Sequence, residues 1–178
     1  MTKAELVELI DSWENLQYLV TEITQTPEYY QMLMEIALYN SNQKSWRAAY
    51  LVDKINDSSP ELLFPFLNMM IEQVQIEKNK SKIRHFLKLF SQNELPQEKQ
   101  GVLLDFCLKT FTSDKEPLAV RVHAMQILFN ISEKEPDLKS EILALIEYEM
   151  ENHSSAGIVS RGAKLAEKLR KQTRQILK

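Results

Sequence analysis

The chain has 178 residues, of which 44% are hydrophobic and 26% charged, with a formal net charge of −3. That length suits one domain with a proper core, and the balance is ordinary for a water-exposed globular chain. Three glycines leave little material for hairpin turns or phosphate loops. The single cysteine, Cys107, excludes a disulfide framework and any multi-cysteine zinc site. Neither an apolar leader near Met1 nor a membrane-length apolar run is present, so the expectation is no membrane contact and a reducing, cytoplasmic setting.

Apolar residues recur at helical spacing from the start. Leu6, Leu9, Ile10, Trp13, Leu16, Val20 and Ile23 form one stripe behind a capping box of Thr2 and Glu5. Thr26-Pro27-Glu28 is a second start signal, with Thr as N-cap and Pro in the first turn, for a helix ending near Asn40. A third helix is predicted over 44–56, burying Ala48, Leu51, Val52 and Ile55. Pro60 opens a helix carrying Leu63, Leu67, Met70 and Val74, with a kink or late start at Pro65. Further helices are predicted over 80–91, from Pro96, from Pro117, from Pro136 and over 156–176. No segment alternates apolar and polar residues as a strand would.

Two registers run through these helices. Pro27, Pro60, Pro96 and Pro136 each open a helix and are spaced by 33, 36 and 40 residues. Arg47, Arg84, Arg121 and Arg161 are spaced by 37, 37 and 40 and fall between the prolines. Two interleaved series in constant phase define a repeating pair, a first helix with an Arg near its start and a second helix opened by Pro.

This pattern resembles the HEAT/armadillo repeats. Val120-Arg121, the small Ala124 and Leu128, followed by the helix from Pro136, make the best unit. Trp46-Arg47 with the helix from Pro60 makes a second. The resemblance implies a right-handed all-α solenoid of about four and a half helix pairs. Its approximate units are 1–42, 43–79, 80–115 and 116–154, closed by a cap helix over 155–178, in one domain spanning 1–178. It also implies that the recurring Arg makes a structural contact, since each amphipathic pair buries its face only by stacking on the next.

The chemistry-bearing residues are sparse. No His-Glu-x-x-His pair, phosphate loop or Gly-x-Ser-x-Gly elbow occurs, so neither a catalytic residue, nor a cofactor, nor a metal site is expected. His85 and His123 follow their Arg residues too far apart to share a metal and are read as exposed or locally bonded; Cys107 reads as a small core residue. Some HEAT-like proteins are DNA glycosylases of the alkylation-repair type, which use aromatic residues and an Asp. Trp46 and Asp53 lie on one helix face with Tyr50 between them, and Trp13 is placed to approach from another repeat. The spacing does not reproduce that family's arrangement, and Trp46 reads better as a packing residue between repeats.

Charge separates the helices. The proline-opened helices carry 12 acidic against 4 basic residues. By the resemblance these helices line the concave face, and an acidic concavity repels a phosphate backbone. The expected partner is therefore a basic peptide or protein, with Tyr29, Asn68, Glu72, Asp105, Lys109, Glu147 and Glu151 as contact positions. The last helix is the opposite: Arg161, Lys164, Lys168, Arg170, Lys171, Arg174 and Lys178 against Glu167 alone. It serves either as a solvated cap, or, with Trp46 and Asp53, as a contact for nucleic acid or an acidic partner.

Overall fold

A computed structural model describes residues 1–153 and 155–176. Among these are ten α-helices and no strand. Two compact units make up the chain, Met1–Pro96 and Gln97–Lys178. The first holds α1 (Lys3–Ser12), α2 (Leu16–Gln25), α3 (Pro27–Tyr39), α4 (Trp46–Asn56), α5 (Leu67–Val74) and α6 (Lys80–Gln92). The second holds α7 (Gln100–Phe111), α8 (Leu118–Lys134), α9 (Lys139–Asn152) and α10 (Ala156–Ile176).

The N-terminal stripe is two helices, not one. The capping box forms, with the Glu5 amide donating to Thr2 Oγ1 at 3.3 Å and the Thr2 amide donating to Glu5 Oε2 at 2.7 Å. The helix then stops at Trp13, whose φ of 59° is left-handed, and restarts after Asn15 at φ 51°. Such angles crowd a side chain against its own backbone. The Trp13 ring packed against α4 is what offsets that cost.

The proline signals divide in two. Pro27 occupies the first turn of α3, although Thr26 makes no side-chain cap bond. Pro60 and Pro136 instead open 3-10 turns, Pro60–Phe66 and Pro136–Leu138, and a third such turn, Gln97–Lys99, follows Pro96. The α-helices begin only at Leu67, Gln100 and Lys139. Pro65 explains the longest delay, since it lacks the N–H an α-turn would use and disfavours α geometry at Phe64.

The period of the sequence reappears as contacts in space. In the first unit α4 packs between α3 and α6, and side chains meet their counterparts one repeat away. Arg47 reaches the Asp11 carbonyl across 36 residues, Lys88 reaches Asp53 across 35, and Asn93 reaches Asn56 across 37. In the second unit α8 packs against α7, α9 and α10. Arg161 meets Gln126 across 35 residues and Gln172 meets Glu133 across 39. The close seat of α10 on α9 depends on Gly162, where an added Cβ would stand 2.7 Å from Met150 Sδ.

Each unit buries its own apolar layer. Leu33, Leu51, Ile55, Met70, Phe86 and Phe90 are fully buried in the first, and Leu103, Phe111, Leu128, Ile146 and Leu169 in the second. Cys107 lies in the second layer, and burial pushes its thiol far up, so it is an inert core residue.

Candidate functional site

Three clusters of chemistry-bearing side chains stand out. The first joins α1, α4 and α6. Trp13 lies 5.4 Å from Trp46 and 5.2 Å from Tyr50 between ring centroids, and Trp46 stacks on His85 at an interplanar angle of 8°. The Arg47 guanidinium covers the Trp13 ring at 4.9 Å while it donates to the Asp11 carbonyl at 2.7 Å. Asp53 faces inward, 3.0 Å from His85 Nδ1 and 2.6 Å from Lys88 Nζ.

Burial alone would raise the Asp53 carboxyl, but the hydrogen bonds and charges of His85 and Lys88 outweigh it and hold the group below the usual carboxylate range. A depressed folded-state value contributes stability above about pH 3.9, the unfolded value for Asp, and loses it as pH falls through the folded value. The advantage of the native chain over Asp53→Asn is therefore full at neutral pH and shrinks in acid. Urea melts of both chains from neutral pH into acid check this; a pH-independent gap would refute it.

The second cluster is a buried lysine. Lys82 at the start of α6 is 1% exposed, and its ammonium lies 2.7 Å from Glu77 Oε2. It also donates to the carbonyls of Leu38 at 3.4 Å and Asn40 at 3.2 Å, at the end of α3. Desolvation opposes the Glu77 charge, yet Lys82 and the amides of Asn79 and Lys78 hold its carboxyl low.

The third is centred on Arg121 in α8. Its Nε donates to the Phe111 carbonyl at 2.8 Å, at the end of α7. Its Nη2 pairs with Glu149 at 2.6 Å and its Nη1 with Asp114 at 3.3 Å, and His153 Nε2 touches both carboxylates, at 2.9 and 3.2 Å.

Arg47, Lys82 and Arg121 thus do one job. Each stands near the start of a helix and satisfies carbonyls at the end of an earlier one, which otherwise lack partners. A HEAT repeat domain model matches residues 3–169. The chain belongs to the HEAT repeat family. No curated protein and no solved structure gives a match.

Within this HEAT repeat chain the recurring Arg has the expected structural role at Arg47 and Arg121, but not at Arg84. Arg84 is exposed and, among the described residues, bonds the neighbouring His85 ring at 3.1 Å. Lys82, two residues earlier, does the capping instead. His85 is neither exposed nor only locally bonded: it is buried and meets Asp53 across 32 residues, and Trp46 packs between helices from different repeats. The two aromatics and Asp53 do come together, as does Trp13. However, Arg47 covers the rings and Asp53 is turned toward His85 and Lys88, so the cluster is a packed joint rather than an open pocket.

The candidate contact positions fall differently. Asn68, Glu72, Asp105, Lys109 and Glu151 are exposed. Tyr29 is half-buried and its hydroxyl accepts from the Met1 amine at 2.9 Å, while Glu147 is half-buried and paired with Arg170 at 2.6 Å. Tyr148, 60% exposed on α9, was not singled out by its sequence context. Its spacing from Glu141 and Glu151 by seven and three residues was the available signal. Arg161, Lys164, Lys168, Arg170, Lys171 and Arg174 all face outward on α10, and Lys178 lies outside the described residues. Among the described residues no group of His, Cys, Asp or Glu could hold a metal ion. No helix is long and apolar enough to cross a membrane.

Proposed function

We propose that the chain is a non-enzymatic, cytoplasmic protein-binding scaffold whose proline-opened helices receive a basic peptide or protein. The observation that carries this reading is the outer stripe of α9 and the turn before it. Asp137, Glu141, Ala144, Tyr148 and Glu151 recur at four- and three-residue steps and are all exposed. One face therefore offers three carboxylates around a solvent-facing tyrosine, a pattern that suits a cationic segment with an apolar or aromatic anchor. On α7, Val102, Asp105 and Lys109 repeat the spacing, and Asp105 forms no ion pair among the described residues. In the first unit, Tyr39 on α3 and Met69 on α5 are exposed and touch at 3.9 Å, with Asn68 and Glu72 beside Met69 in the sequence. Part of the acidic count is used internally, because Glu35, Glu77, Glu147 and Glu149 pair with Lys3, Lys82, Arg170 and Arg121.

A labelled lysine-rich helical peptide provides the test. It is expected to bind at low salt and to bind about tenfold more weakly to the double variant Glu141→Lys, Glu151→Lys, since each exposed pair is worth up to about 1 kcal/mol. Tyr148→Ala should weaken it comparably. Equal binding to the native and charge-reversed chains, or none at low salt, refutes the reading. The alternative, a nucleic-acid-binding relative of the alkylation-repair type using Trp46, Asp53 and α10, predicts salt-dependent retention of duplex DNA instead.

A further inference from the structure

The second unit carries a charged surface that the basic-partner reading leaves unused. α8 and α10 lie side by side: Leu118 stands against Gly157, Gln126 meets Arg161, and Glu133 meets Gln172. Between them runs a shallow trough of about 330 Å³ lined by Gln126, Arg161, Lys164, Leu165, Lys168 and Lys171. The four cations step by three, four and three residues along one face of α10, a span of about 15 Å at 1.5 Å per residue.

Their partners are few. Lys171 pairs with Glu167 at 2.7 Å, the one carboxylate in the trough. Arg161 donates to the neutral Gln126 amide at 3.1 Å, and the Lys168 ammonium sits 5.7 Å over the Phe129 ring. Lys164 makes no hydrogen bond or ion pair among the described residues. Like charges three and four residues apart oppose helix formation. This chain has more acids than bases, yet three of the four form no ion pair among the described residues. Arg170, one position away, turns instead to Glu147. Within the trough, Arg161, Lys164 and Lys168 thus form no ion pair among the described residues.

We infer that the α8–α10 trough is a docking site for an acidic helical segment of another protein. An α-helix bearing carboxylates three and four residues apart presents them about 5–6 Å apart, the same step as the cations. Leu165 forms the buried floor, and Leu118, 43% exposed, stands in the first turn of α8 beyond the trough lining, against Gly157. A nucleic acid fits less well. Duplex DNA carries a charge about every 1.7 Å of its axis and would run past the short row toward exposed Glu133, where α8 meets Gln172.

The test uses the full chain and three labelled probes: an alanine-based helical peptide with glutamate every third or fourth residue, its glutamine counterpart, and a short DNA duplex. At low salt the glutamate peptide is expected to raise the anisotropy and the glutamine peptide to leave it unchanged. The double variant Lys164→Glu, Lys168→Glu should weaken glutamate-peptide binding by at least about tenfold, and Lys164→Arg, Lys168→Arg should retain it. Both positions are exposed, so circular dichroism melts should match the native chain. No binding of the glutamate peptide, or binding unchanged by charge reversal, overturns the inference. Tighter binding of the duplex, lost in the same variant, overturns it in favour of nucleic acid. The lysine-rich peptide that probes α9 has the opposite sign, so the two readings fail independently.

Discussion

Arg121→Ala lowers the thermal midpoint of the chain by about 10 °C, the larger of the two strongest effects expected. The guanidinium is buried, and it alone joins the Phe111 carbonyl, Glu149 and Asp114. Removing it leaves Glu149, itself 3% exposed, as a buried charge whose one remaining ion-pair partner among the described residues is His153. Breaking a buried pair from one side costs about 3–5 kcal/mol, and each kcal/mol moves the midpoint by about 2–4 °C in a chain of this size. The lost contact to Phe111 also uncaps the end of α7. The double change Arg121→Met, Glu149→Gln should recover part of the loss, because an uncharged pair of similar volume avoids the desolvation. Melts followed by circular dichroism decide it. A shift under about 2 °C would mean that the network contributes little.

Lys82→Ala is expected to cost the first unit about 3 kcal/mol, by the same one-sided loss. All three ammonium protons have acceptors, on Glu77, Leu38 and Asn40. Without the lysine, those two carbonyls at the end of α3 lose their donor and Glu77 keeps only its two backbone amides. The cavity left by the four-carbon stem adds to the loss. Lys82→Met refills that space and separates packing from charge: if packing dominated, it would be nearly neutral. Urea denaturation of the two variants beside the native chain measures the difference, and a loss below about 1 kcal/mol for Lys82→Ala would show that the ion pair is not sustaining α6.

How far the sequence carried the structure depends on which physics each feature obeys. The helices themselves, the placement of Ile10, Val52, Phe86 and Leu128 in the core, and the capping box at Thr2 all follow from local periodicity. They are recorded within about one turn of chain. The break at Trp13 was not legible, because the apolar stripe continues through it and the left-handed turn is held by contacts to Trp46 and Tyr50 from α4. The late start after Pro60 was signalled by Pro65, but those after Pro96 and Pro136 show a related limit. Proline announces a helix start but does not choose between a 3-10 and an α turn, which differ little in backbone angle.

The same division runs through the functional residues. The recurring arginine was visible as a period, but position along the sequence did not tell which cation in each repeat is buried. Arg84 keeps the period and lies outside, while Lys82 breaks it and lies inside. The acidic and basic helices could be tallied from composition, yet pairing decided which charges remain available. Glu147 and Arg170 neutralise one another across two helices, whereas Lys164 forms no ion pair among the described residues.

The sequence by itself determined that this is an all-α chain of repeated helix pairs with a period near 37 residues, because helical periodicity and start signals are local and repeat identically. Only the tertiary structure decided which cations cap neighbouring helices and which are left exposed in a row. Those outcomes depend on side chains 28 to 44 residues apart meeting across helix pairs, and the energy of a charge is set by the groups around it rather than by its place in the chain.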